Sequence, residues 1–580
     1  MEKYYEGVRE VTDLKDLINQ SVQLFGDRPV FKFKKKMYKK GEDVEFYTMS
    51  YKEFKEEIDN FGTALNSLGL QNEKIALISK NRYEWNSVYF AVTIGDKTIV
   101  PLDKSLPDNE IISLAIRSEA KAIVFEEKYL DVMRKIKNEK LSNIEYYICF
   151  DFDEDSDDGI LSYKKLLSKG KELIENGDRS HIDAEVDPEK ATILLFTSGT
   201  TAMSKAVMLS QKNLCSNVVD LNKVLKFDEN DSTLALLPFH HTFQATINNV
   251  LFYIGATLSF CDGLKYISQN LCEYKPTIIV SVPLILESIH KKIVKNIEKQ
   301  GKTKIVNTMK KVTNCLDKVN IKLKRKVFKD IHEALGGNVR LIVYGAAAMD
   351  PKLVKSLDGF GLRTIQGYGL TETSPVICVE NDRNRRVGSC GKPLPSQEIK
   401  IDNPDENGIG EILSKGPNVM LGYYKNNEAT EEALANGWFH TGDLGYIDAD
   451  GFVFITGRKK NVIVQKNGKN IFPEEMETLV GYISGVKECM VYGKPTKDND
   501  LDIAVKIVYD PEEIKNIRGF VKDDDVYAYM KEKIADINKN MPSYKHIRHI
   551  IVTDEELIKT TTAKVKRHEE MAKILENEEK

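Results

Sequence analysis

Short apolar runs rich in valine and isoleucine alternate with amphipathic segments along most of the chain. Segment 51–65, for example, places its apolar residues at helical spacing, and Gly69 follows where a helix should end. Strands that alternate with helices predict βα units and buried, mostly parallel sheets. The runs that we predict to be strands are 74–79, 122–125, 191–196, 277–281 and 339–344.

The pattern changes near residue 400, where Gly, Asn and Asp begin to interrupt short strand-like runs. Residues from about 400 to 457 therefore predict a small, mostly antiparallel β unit. After Arg458 the pattern mixes helices and strands over enough residues for a separate domain. We predict an α/β protein with a large N-terminal domain, residues 1–457, of stacked and mostly parallel sheets plus the small β unit. A small α+β C-terminal domain follows.

The composition is that of a globular protein with more than one domain. The 580 residues are 41% hydrophobic and 30% charged, and a net charge of −4 provides no field that would recruit nucleic acid. The eight cysteines form no Cys-x-x-Cys pair, which argues against a zinc site or a disulfide framework. The N-terminus lacks a secretory signal, and the longest apolar run, 249–260, is shorter than the ~20 residues that span a bilayer. We expect a cytoplasmic enzyme.

Residues 290–330 have the strongest charge bias in the chain. They contain fourteen Lys or Arg and three Asp or Glu, interleaved with Ile, Val, Met and Leu. One interpretation is a solvated helical hairpin. The other is a basic amphipathic surface that contacts anionic lipid, which would make the protein a peripheral membrane protein.

A run of hydroxyl side chains follows the strand predicted to end at Phe196. Such a loop can donate hydrogen bonds to phosphate oxygens, and a lysine after it adds positive charge. The spacing is not that of a Walker A sequence, and by itself the segment could be an ordinary loop. Its candidate residues are Thr197, Ser198, Gly199, Thr200, Thr201 and Lys205.

Four other segments combine polar residues with glycine or carry clustered basic residues. In 366–375, glycines flank Tyr368, whose ring could stack on a base, and Glu372 lies in a polar turn, as a Mg²⁺ ligand does. In 437–443, Asp443 follows Gly442 and could accept two hydrogen bonds from a ribose diol. Each of these could instead be a simple turn. The remaining two are the basic segments 457–461 and 559–567, which alone would mean little.

Taken together and in this order, the five segments resemble those of the acyl-adenylate-forming superfamily, which includes acyl-CoA synthetases, firefly luciferases and the adenylation domains of peptide synthetases. The resemblance extends from about residue 26 to residue 567. It is closest to the long-chain fatty acid–CoA ligase branch, through residues 410–425, residues 467–475 and the long insert before 334–337.

The resemblance implies a reaction in two steps. ATP first activates a fatty acid to acyl-AMP with release of pyrophosphate, and coenzyme A then takes the acyl group to give acyl-CoA and AMP. The expected cofactors are therefore ATP, Mg²⁺ and coenzyme A, and the fatty acid and coenzyme A are the small-molecule partners.

The same resemblance implies roles for individual residues. The segment Thr197–Lys205 would close over the β- and γ-phosphates, Thr371 would contact the α-phosphate and Glu372 would hold Mg²⁺. His241 matches the position near the substrate carboxylate, although a core or capping histidine is the alternative. The adenine would be bordered by Gly345, Ala346, Ala347, Gln366, Gly367 and Tyr368, and the ribose would be held by Asp443 with Arg458 beside it.

The resemblance also implies a moving domain. Lys564 matches a mobile lysine that reaches the substrate carboxylate and the α-phosphate, where a cation stabilises two anions brought together in the transition state. Lys460 matches a hinge, residues 458–460, about which the C-terminal domain, residues 461–580, swings. Gly468 would then line the path of the pantetheine arm.

Two segments depart from the family pattern. Ala202 and Ala206 replace glycines that are usual in the family, and Ser204 stands where proline is frequent. If those glycines have positive φ, alanine should strain the loop by roughly 1 kcal/mol and slow the reaction or weaken ATP binding. Ala563 likewise replaces a glycine that is common before the mobile lysine.

Two alternative functions stay open. The protein could transfer the acyl group to a carrier protein or use an aryl or amino acid. It could also bind nucleotide or acyl groups without turnover. Relatives that use amino acids usually have an aspartate after the phenylalanine of the histidine segment, whereas here His240 follows Phe239. This difference counts against an amino acid substrate.

Overall fold

A computed structural model describes residues 4–39, 42–197, 204–465, 470–496, 501–519, 523–560 and 564–578. They form an α/β protein, as predicted, which divides into two compact units. The first unit contains Met1–Thr197, Lys205–Glu398 and Ser414–Phe439. The second contains Ile399–Leu413 and the described residues from His440 onward.

The strands are numbered along the chain. The first sixteen are β1 (Pro29–Lys34), β2 (Phe46–Ser50), β3 (Lys74–Ile78), β4 (Thr98–Pro101), β5 (Ala122–Phe125), β6 (Tyr146–Cys149), β7 (Leu161–Ser162), β8 (Ala191–Thr197), β9 (Lys205–Ser210), β10 (Ser232–Ala235), β11 (Thr257–Phe260), β12 (Ile278–Ser281), β13 (Leu341–Tyr344), β14 (Thr364–Gly369), β15 (Val376–Val379) and β16 (Lys392–Pro393). The others are β17 (Glu398–Asp402), β18 (Gly410–Lys415), β19 (Gly422–Tyr423), β20 (Phe439–Ile447), β21 (Val453–Arg458), β22 (Ile463–Val464), β23 (Asn470–Ile471), β24 (Val486–Pro495), β25 (Leu501–Tyr509) and β26 (Ile547–Thr553).

The helices are numbered in the same way. They are α1 (Leu14–Phe25), α2 (Tyr51–Ser67), α3 (Tyr83–Thr93), α4 (Asp108–Ser118), α5 (Leu130–Asn138), α6 (Tyr163–Glu175), α7 (Gln211–Val224), α8 (Thr242–Ile254), α9 (Ile267–Tyr274), α10 (Pro283–Lys299), α11 (Thr303–Lys318), α12 (Lys324–Val327), α13 (Lys329–Glu333), α14 (Pro351–Gly359), α15 (Asn427–Ala433), α16 (Pro473–Gly481), α17 (Pro511–Arg518), α18 (Asp523–Asn538) and α19 (Arg567–Glu578).

Two large sheets form the first unit. One has the order β16-β15-β14-β13-β12-β10-β11-β1-β2 and is parallel from β14 to β1. The other has the order β19-β9-β8-β4-β3-β5-β6-β7 and is parallel from β8 to β7. All the predicted strand segments lie in these sheets, because apolar runs without alternation are buried on both faces.

Helices pack between and outside the two sheets. The largest hydrophobic cluster joins residues of both sheets to α1, α2, α3, α7 and α8. At its centre the ring of Phe252 lies 5.6 Å from that of Phe54 and 5.5 Å from that of Phe90. Separate clusters cover the outer face of each sheet. This arrangement is the predicted stack of mostly parallel sheets.

Helix α2 shows how local sequence sets the boundaries of an element. The Ser50 hydroxyl accepts a hydrogen bond from the backbone N–H of Glu53, and the Glu53 carboxylate accepts one from the backbone N–H of Ser50. This capping box satisfies N–H groups that the first turn leaves without partners. Gly69 has a φ of +77°, which a residue with a Cβ rarely adopts, and the chain turns away there.

The second unit contains the predicted small β sheet and the α+β region. The sheet has the order β17-β18-β20-β21. The α+β region has a three-stranded sheet, β24-β25-β26, which shares a hydrophobic cluster with α16, α17 and α18. The hinge at 458–460 stays a prediction. In the part of the chain that the structure describes, no helix is both long and apolar enough to cross a membrane.

Candidate active site

Three loops of the first unit meet at the carboxyl edge of the nine-stranded sheet. They follow the parallel strands β10, β13 and β14, and ligands of α/β proteins commonly bind at this edge. A Cβ atom added to Gly345 would lie 3.2 Å from the carbonyl oxygen of Gly367 and 3.5 Å from the ring of Phe243. The structure therefore brings the predicted adenine border next to the histidine segment, which is far from it in sequence.

Two of the adenine-border residues are exposed, whereas the side chains of two others are buried. Ala346 has a φ of +69° and is exposed, as is Ala347. Gln366 instead buries its side chain, whose Oε1 accepts a hydrogen bond from the Tyr344 hydroxyl at 3.0 Å. Tyr368 is also buried, with 8% of its surface exposed. Gln366 can therefore border a base only through its backbone.

His241 lies at the N-terminus of α8. It is the N-cap residue, but its side chain makes no capping hydrogen bond, and it is half-buried. The side chain of His241 therefore neither caps the helix by a hydrogen bond nor lies fully in the core, which were the two alternatives from the sequence. Later in α8, the Thr246 hydroxyl donates to the carbonyl of Ser374 at 3.1 Å. Helix α8 thus connects the histidine segment to the turn that carries Thr371 and Glu372.

That turn is a single 3₁₀ turn, Thr371–Thr373, and two hydrogen bonds join it to residues 418–420. The Asn418 amide donates to the carbonyl of Thr373 at 2.9 Å, and the backbone N–H of Met420 donates to the carbonyl of Glu372 at 2.8 Å. Thr371 and Glu372 are half-buried. A carboxylate on a fixed turn with partial exposure suits a cation ligand.

Glu372 belongs to a short chain of polar contacts with Tyr423 and Lys205. The Tyr423 hydroxyl donates to Glu372 Oε1 at 3.0 Å, and Lys205 Nζ lies 4.7 Å from the centre of the Tyr423 ring. Burial and the neighbouring Glu372 carboxylate raise the pKa of Tyr423 well above its ordinary value, so its hydroxyl remains a donor. Tyr423 thereby connects the predicted metal ligand to the predicted phosphate lysine.

The phosphate loop is described only at its ends. Thr197 and Lys205 pair across the β8–β9 hairpin, and the Thr197 hydroxyl donates to the carbonyl of Lys205 at 3.2 Å. Ala206 lies in β9 opposite Phe196 and does not have a positive φ, so the strain anticipated at this alanine is absent. The positions that lie outside the described residues are Ser198, Gly199, Thr200, Thr201 and Ala202.

In the second unit, Asp443 and Arg458 face each other across β20 and β21. Arg458 Nε lies 2.7 Å from Asp443 Oδ1, and its Nη1 donates to the carbonyl of Thr441 at 3.2 Å. Asp443 is 4% exposed. Its charge is therefore compensated by Arg458, as a buried carboxylate requires, and a role of the pair in ribose binding stays a prediction.

A second buried carboxylate lies beside this pair. Glu411 Oε2 accepts a hydrogen bond from Lys459 at 2.8 Å, and Glu411 Oε1 accepts one from the backbone N–H of Gly442 at 3.1 Å. Burial alone would raise the pKa of Glu411, but hydrogen bonds from Lys459 and His440 lower it below its ordinary value. No sequence motif marks Glu411, because its partners Lys459 and Gly442 are distant from it along the chain.

Lys564 is exposed near the end of the chain. Its backbone N–H donates to the Thr560 hydroxyl at 3.1 Å, and its carbonyl accepts from the Thr560 N–H at 2.8 Å. Glu570 joins this region to β25, because one of its oxygens lies 2.5 Å from Lys506 Nζ and the other accepts a hydrogen bond from the N–H of Ile558. The other predicted residues of this region are Lys460, which is exposed, and Gly468, which lies outside the described residues.

Sequence reasoning missed Tyr423 as a site residue. Tyr423 lies in segment 410–425, which supported the family resemblance but gave no contact. Its partner Glu372 is 51 residues away in sequence, and hydrogen bonds from Asn418 and Met420, just before β19, hold the Glu372 turn beside it.

A surface cavity of about 460 Å³ lies elsewhere, against α2 and β2. Its lining includes Phe33, Tyr47 and Glu57, and burial raises the pKa of Glu57 to about 7. None of the predicted site residues lines this cavity. We therefore do not connect it with the predicted chemistry.

Comparison with known proteins identifies the family of the chain. The sequence matches the family model described as AMP-binding enzyme over residues 18–424. It is 29% identical to fatty acyl-CoA synthetase B of Dictyostelium discoideum, over 98% of this chain and 90% of that protein. It is 27% identical to the chloroplastic long-chain-fatty-acid–[acyl-carrier-protein] ligase AEE15 of Arabidopsis thaliana, over 77% of this chain and 71% of that protein.

The fold has solved counterparts as well. The crystal structure of the anthranilate CoA ligase AuaEII in complex with anthranoyl-AMP aligns with a TM-score of 0.75 at 20% identity, over 99% of this chain and 98% of that one. At this identity the likeness concerns the fold. The family match covers most of the chain and includes five of the site segments described above, those with Lys205, His241, Gly345, Glu372 and Tyr423. The chain therefore belongs to the AMP-binding enzyme family.

Proposed function

We propose that the protein activates a fatty acid with ATP, forming acyl-AMP and pyrophosphate, and then transfers the acyl group to coenzyme A. The observation that carries the proposal is that the His241 segment, Gly345 and Gly367 meet at the carboxyl edge of the nine-stranded sheet. Helix α8, which begins after His241, is also hydrogen-bonded to the residue that follows the Glu372 turn. An acid and a nucleotide must lie side by side for a carboxylate to attack the α-phosphorus.

The charges of this site suit that attack. The carboxylate and the triphosphate are both anions, so bringing them together requires cations in the transition state. Lys205 would supply a fixed positive charge, and Lys564 would supply a mobile one. Glu372, oriented by the Tyr423 hydroxyl, would hold Mg²⁺, which would neutralise charge on the phosphates. Asp443 would bind the ribose hydroxyls beside Arg458.

The second step would use a second arrangement of the same chain. Residues 458–460 would act as the hinge between residues 1–457 and residues 461–580, and rotation would remove Lys564 from the reaction centre. The thiol of coenzyme A would then enter along the segment that contains Gly468. Such domain rotation lets two half-reactions use one pocket.

A panel of acids read by pyrophosphate release tests the proposal. We expect release with long-chain fatty acids and little release with aryl or amino acids, and we expect AMP and a thioester after addition of coenzyme A. Release without any preference for fatty acids would contradict the substrate class. ATP binding without pyrophosphate release under every acid would favour a binding protein that no longer turns over.

The acyl acceptor has one specific alternative. The Arabidopsis relative is named as a ligase that uses acyl carrier protein, so a carrier protein is the second candidate acceptor for this chain. Adding either acceptor to enzyme that has formed acyl-AMP distinguishes them. Faster AMP release with coenzyme A supports the proposal, whereas faster release with an acyl carrier protein would replace coenzyme A in it.

We further propose that α11 contacts anionic membranes, which would make this a cytoplasmic protein that binds membranes peripherally. Ile305, Met309 and Val312 lie on one face of α11 and are 60%, 40% and 47% exposed. Lys304, Lys311 and Lys318 form a row at seven-residue spacing on the same helix. An exposed apolar face beside a basic row is typical of a helix that lies in the membrane interface.

The membrane prediction is tested with a triple substitution, Lys304→Gln, Lys311→Gln and Lys318→Gln. Each lysine near an anionic surface contributes about 1 kcal/mol, so binding to phosphatidylglycerol vesicles at low salt should weaken on the order of 100-fold. Co-sedimentation measures the binding to the vesicles.

The control changes three exposed lysines of α6 to glutamine, with the same change in charge. Equal losses in both triple variants would contradict a specific role for α11. The control lysines are Lys164, Lys165 and Lys171.

A further inference from the structure

A cluster of two histidines and one aspartate lies at the N-terminus of α8. The cluster consists of Asp103, which follows β4, and the adjacent His240 and His241, and their candidate ligand atoms all lie within 4.8 Å of one another. The sequence predicted no zinc site from its cysteine spacing. The cluster has a different donor set, and it forms only because the chain brings β4 next to the segment after β10.

The buried member of the cluster carries the inference. His240 is 9% exposed, and its Nε2 makes no hydrogen bond within the described residues. Asp103 Oδ1 lies 3.5 Å from that Nε2, and the ring centres of His240 and His241 are 4.2 Å apart. A buried polar nitrogen without a hydrogen bond is costly, and a metal ion would satisfy it.

The distances fit a small divalent ion. Ligands about 2.0–2.2 Å from one zinc ion in tetrahedral geometry are roughly 3.3 Å apart. Asp103 Oδ1 and His240 Nε2 already lie at about this distance from each other. The candidate ligand atom of the half-buried His241 lies within 4.8 Å of the other two, so a small side-chain adjustment would complete the set. Imidazole and carboxylate donors select zinc or another late transition ion over Mg²⁺, which prefers oxygen ligands.

We propose that Asp103, His240 and His241 bind one zinc-like transition ion and that this ion inhibits the first step of the reaction. Three protein ligands leave a position open for water or a carboxylate. The inhibitory part rests on the proposed function, with His241 at the position near the substrate carboxylate that the family resemblance implies. An ion that occupies His241 would compete with that carboxylate, so inhibition should weaken as the concentration of fatty acid rises.

Binding is tested first and without any activity measurement. Co²⁺ serves as the probe, and its absorption reports histidine and carboxylate ligands. The exposed thiols Cys272 and Cys315 are first changed to serine, because they could also bind the probe. We expect one equivalent of Co²⁺, and Asp103→Asn should weaken its binding at least 100-fold. An unchanged Co²⁺ spectrum and stoichiometry in the Asp103→Asn variant would overturn the inference.

The control is a histidine paired with an aspartate elsewhere in the chain. His549 Nε2 lies 3.0 Å from Asp502 Oδ2. His549→Asn should retain the bound Co²⁺. His240→Asn provides a second test of the site in case Asp103→Asn fails to fold, which circular dichroism would show. Retention of Co²⁺ by a folded His240→Asn variant would likewise contradict the site.

Inhibition is tested second, by pyrophosphate release with Zn²⁺ at fixed excess Mg²⁺. We expect Asp103→Asn to keep its basal activity and to require at least ten times more Zn²⁺ for half-inhibition. Equal inhibition of the wild-type protein and Asp103→Asn would overturn the inhibitory role and leave the proposed function intact. Co²⁺ binding by a protein that releases no pyrophosphate with any acid would instead contradict the proposed function and leave the metal site intact.

Discussion

Replacing Lys564 with alanine will lower the rate of acyl-AMP formation on the order of 100- to 1000-fold, as loss of one group that stabilises transition-state charge does in other enzymes. The reason is that attack by the fatty acid carboxylate brings a second anion to the α-phosphate. Thioester formation from supplied acyl-AMP should largely persist, because that step does not join two anions in the same way. Pyrophosphate release and thioester formation, measured separately, give the two rates.

Lys566 supplies the matched control for this experiment. It lies two residues from Lys564, and its Nζ is 3.0 Å from Glu569 Oε1 on a solvated part of α19. Lys566→Ala should leave both half-reactions within about twofold of the wild-type protein, since exposed ion pairs contribute little. A loss of both half-reactions in Lys564→Ala, or an equal loss in Lys566→Ala, would contradict the mobile-lysine role.

The second large effect is expected at Glu372. Glu372→Gln keeps the size of the side chain and removes its charge, so Mg²⁺ should bind more weakly and charge on the phosphates should be less neutralised. Loss of roughly 3 kcal/mol of stabilisation corresponds to a rate about 100-fold lower, and higher Mg²⁺ should restore part of it. Initial rates of pyrophosphate release across a Mg²⁺ titration measure both quantities.

Tyr423→Phe separates the metal ligand from its positioning residue. The substitution keeps the ring beside Lys205 and removes the hydroxyl that donates to Glu372. One hydrogen bond contributes about 1 kcal/mol, so the rate should fall less than about tenfold and the Mg²⁺ requirement should rise only slightly.

For the Glu372→Gln variant, a normal dependence of the rate on Mg²⁺ would show that another residue holds the ion.

Much of the fold follows from local sequence patterns. Unbroken apolar runs such as 74–79 and 122–125 became buried parallel strands, because strands covered on both faces need apolar residues at every position. Helix α2 was predicted from its apolar spacing, and its cap and terminal glycine act within a few residues. Strain at Ala206 was expected only if its φ were positive, and this condition is not met, because the residue lies in β9 paired with Phe196.

The site was only partly accessible from the sequence. Glycine- and hydroxyl-rich segments indicated which residues take part, and their order along the chain indicated the family. Those segments could not show that Gly345 touches Gly367 and Phe243, or that the side chain of Gln366 is buried away from any base. Such contacts depend on the order of strands in the sheet, which no single segment specifies.

The sequence by itself determined the element types, the α/β class and the identity of the motifs, since each depends on interactions between residues close along the chain. Only the tertiary structure decided that Tyr423 reaches Glu372, that Arg458 compensates Asp443, and that Asp103 lies beside His240. Each pair joins different strands or loops. Strand order and register, which arise from the packing of the whole core, place such groups within a few ångströms of one another.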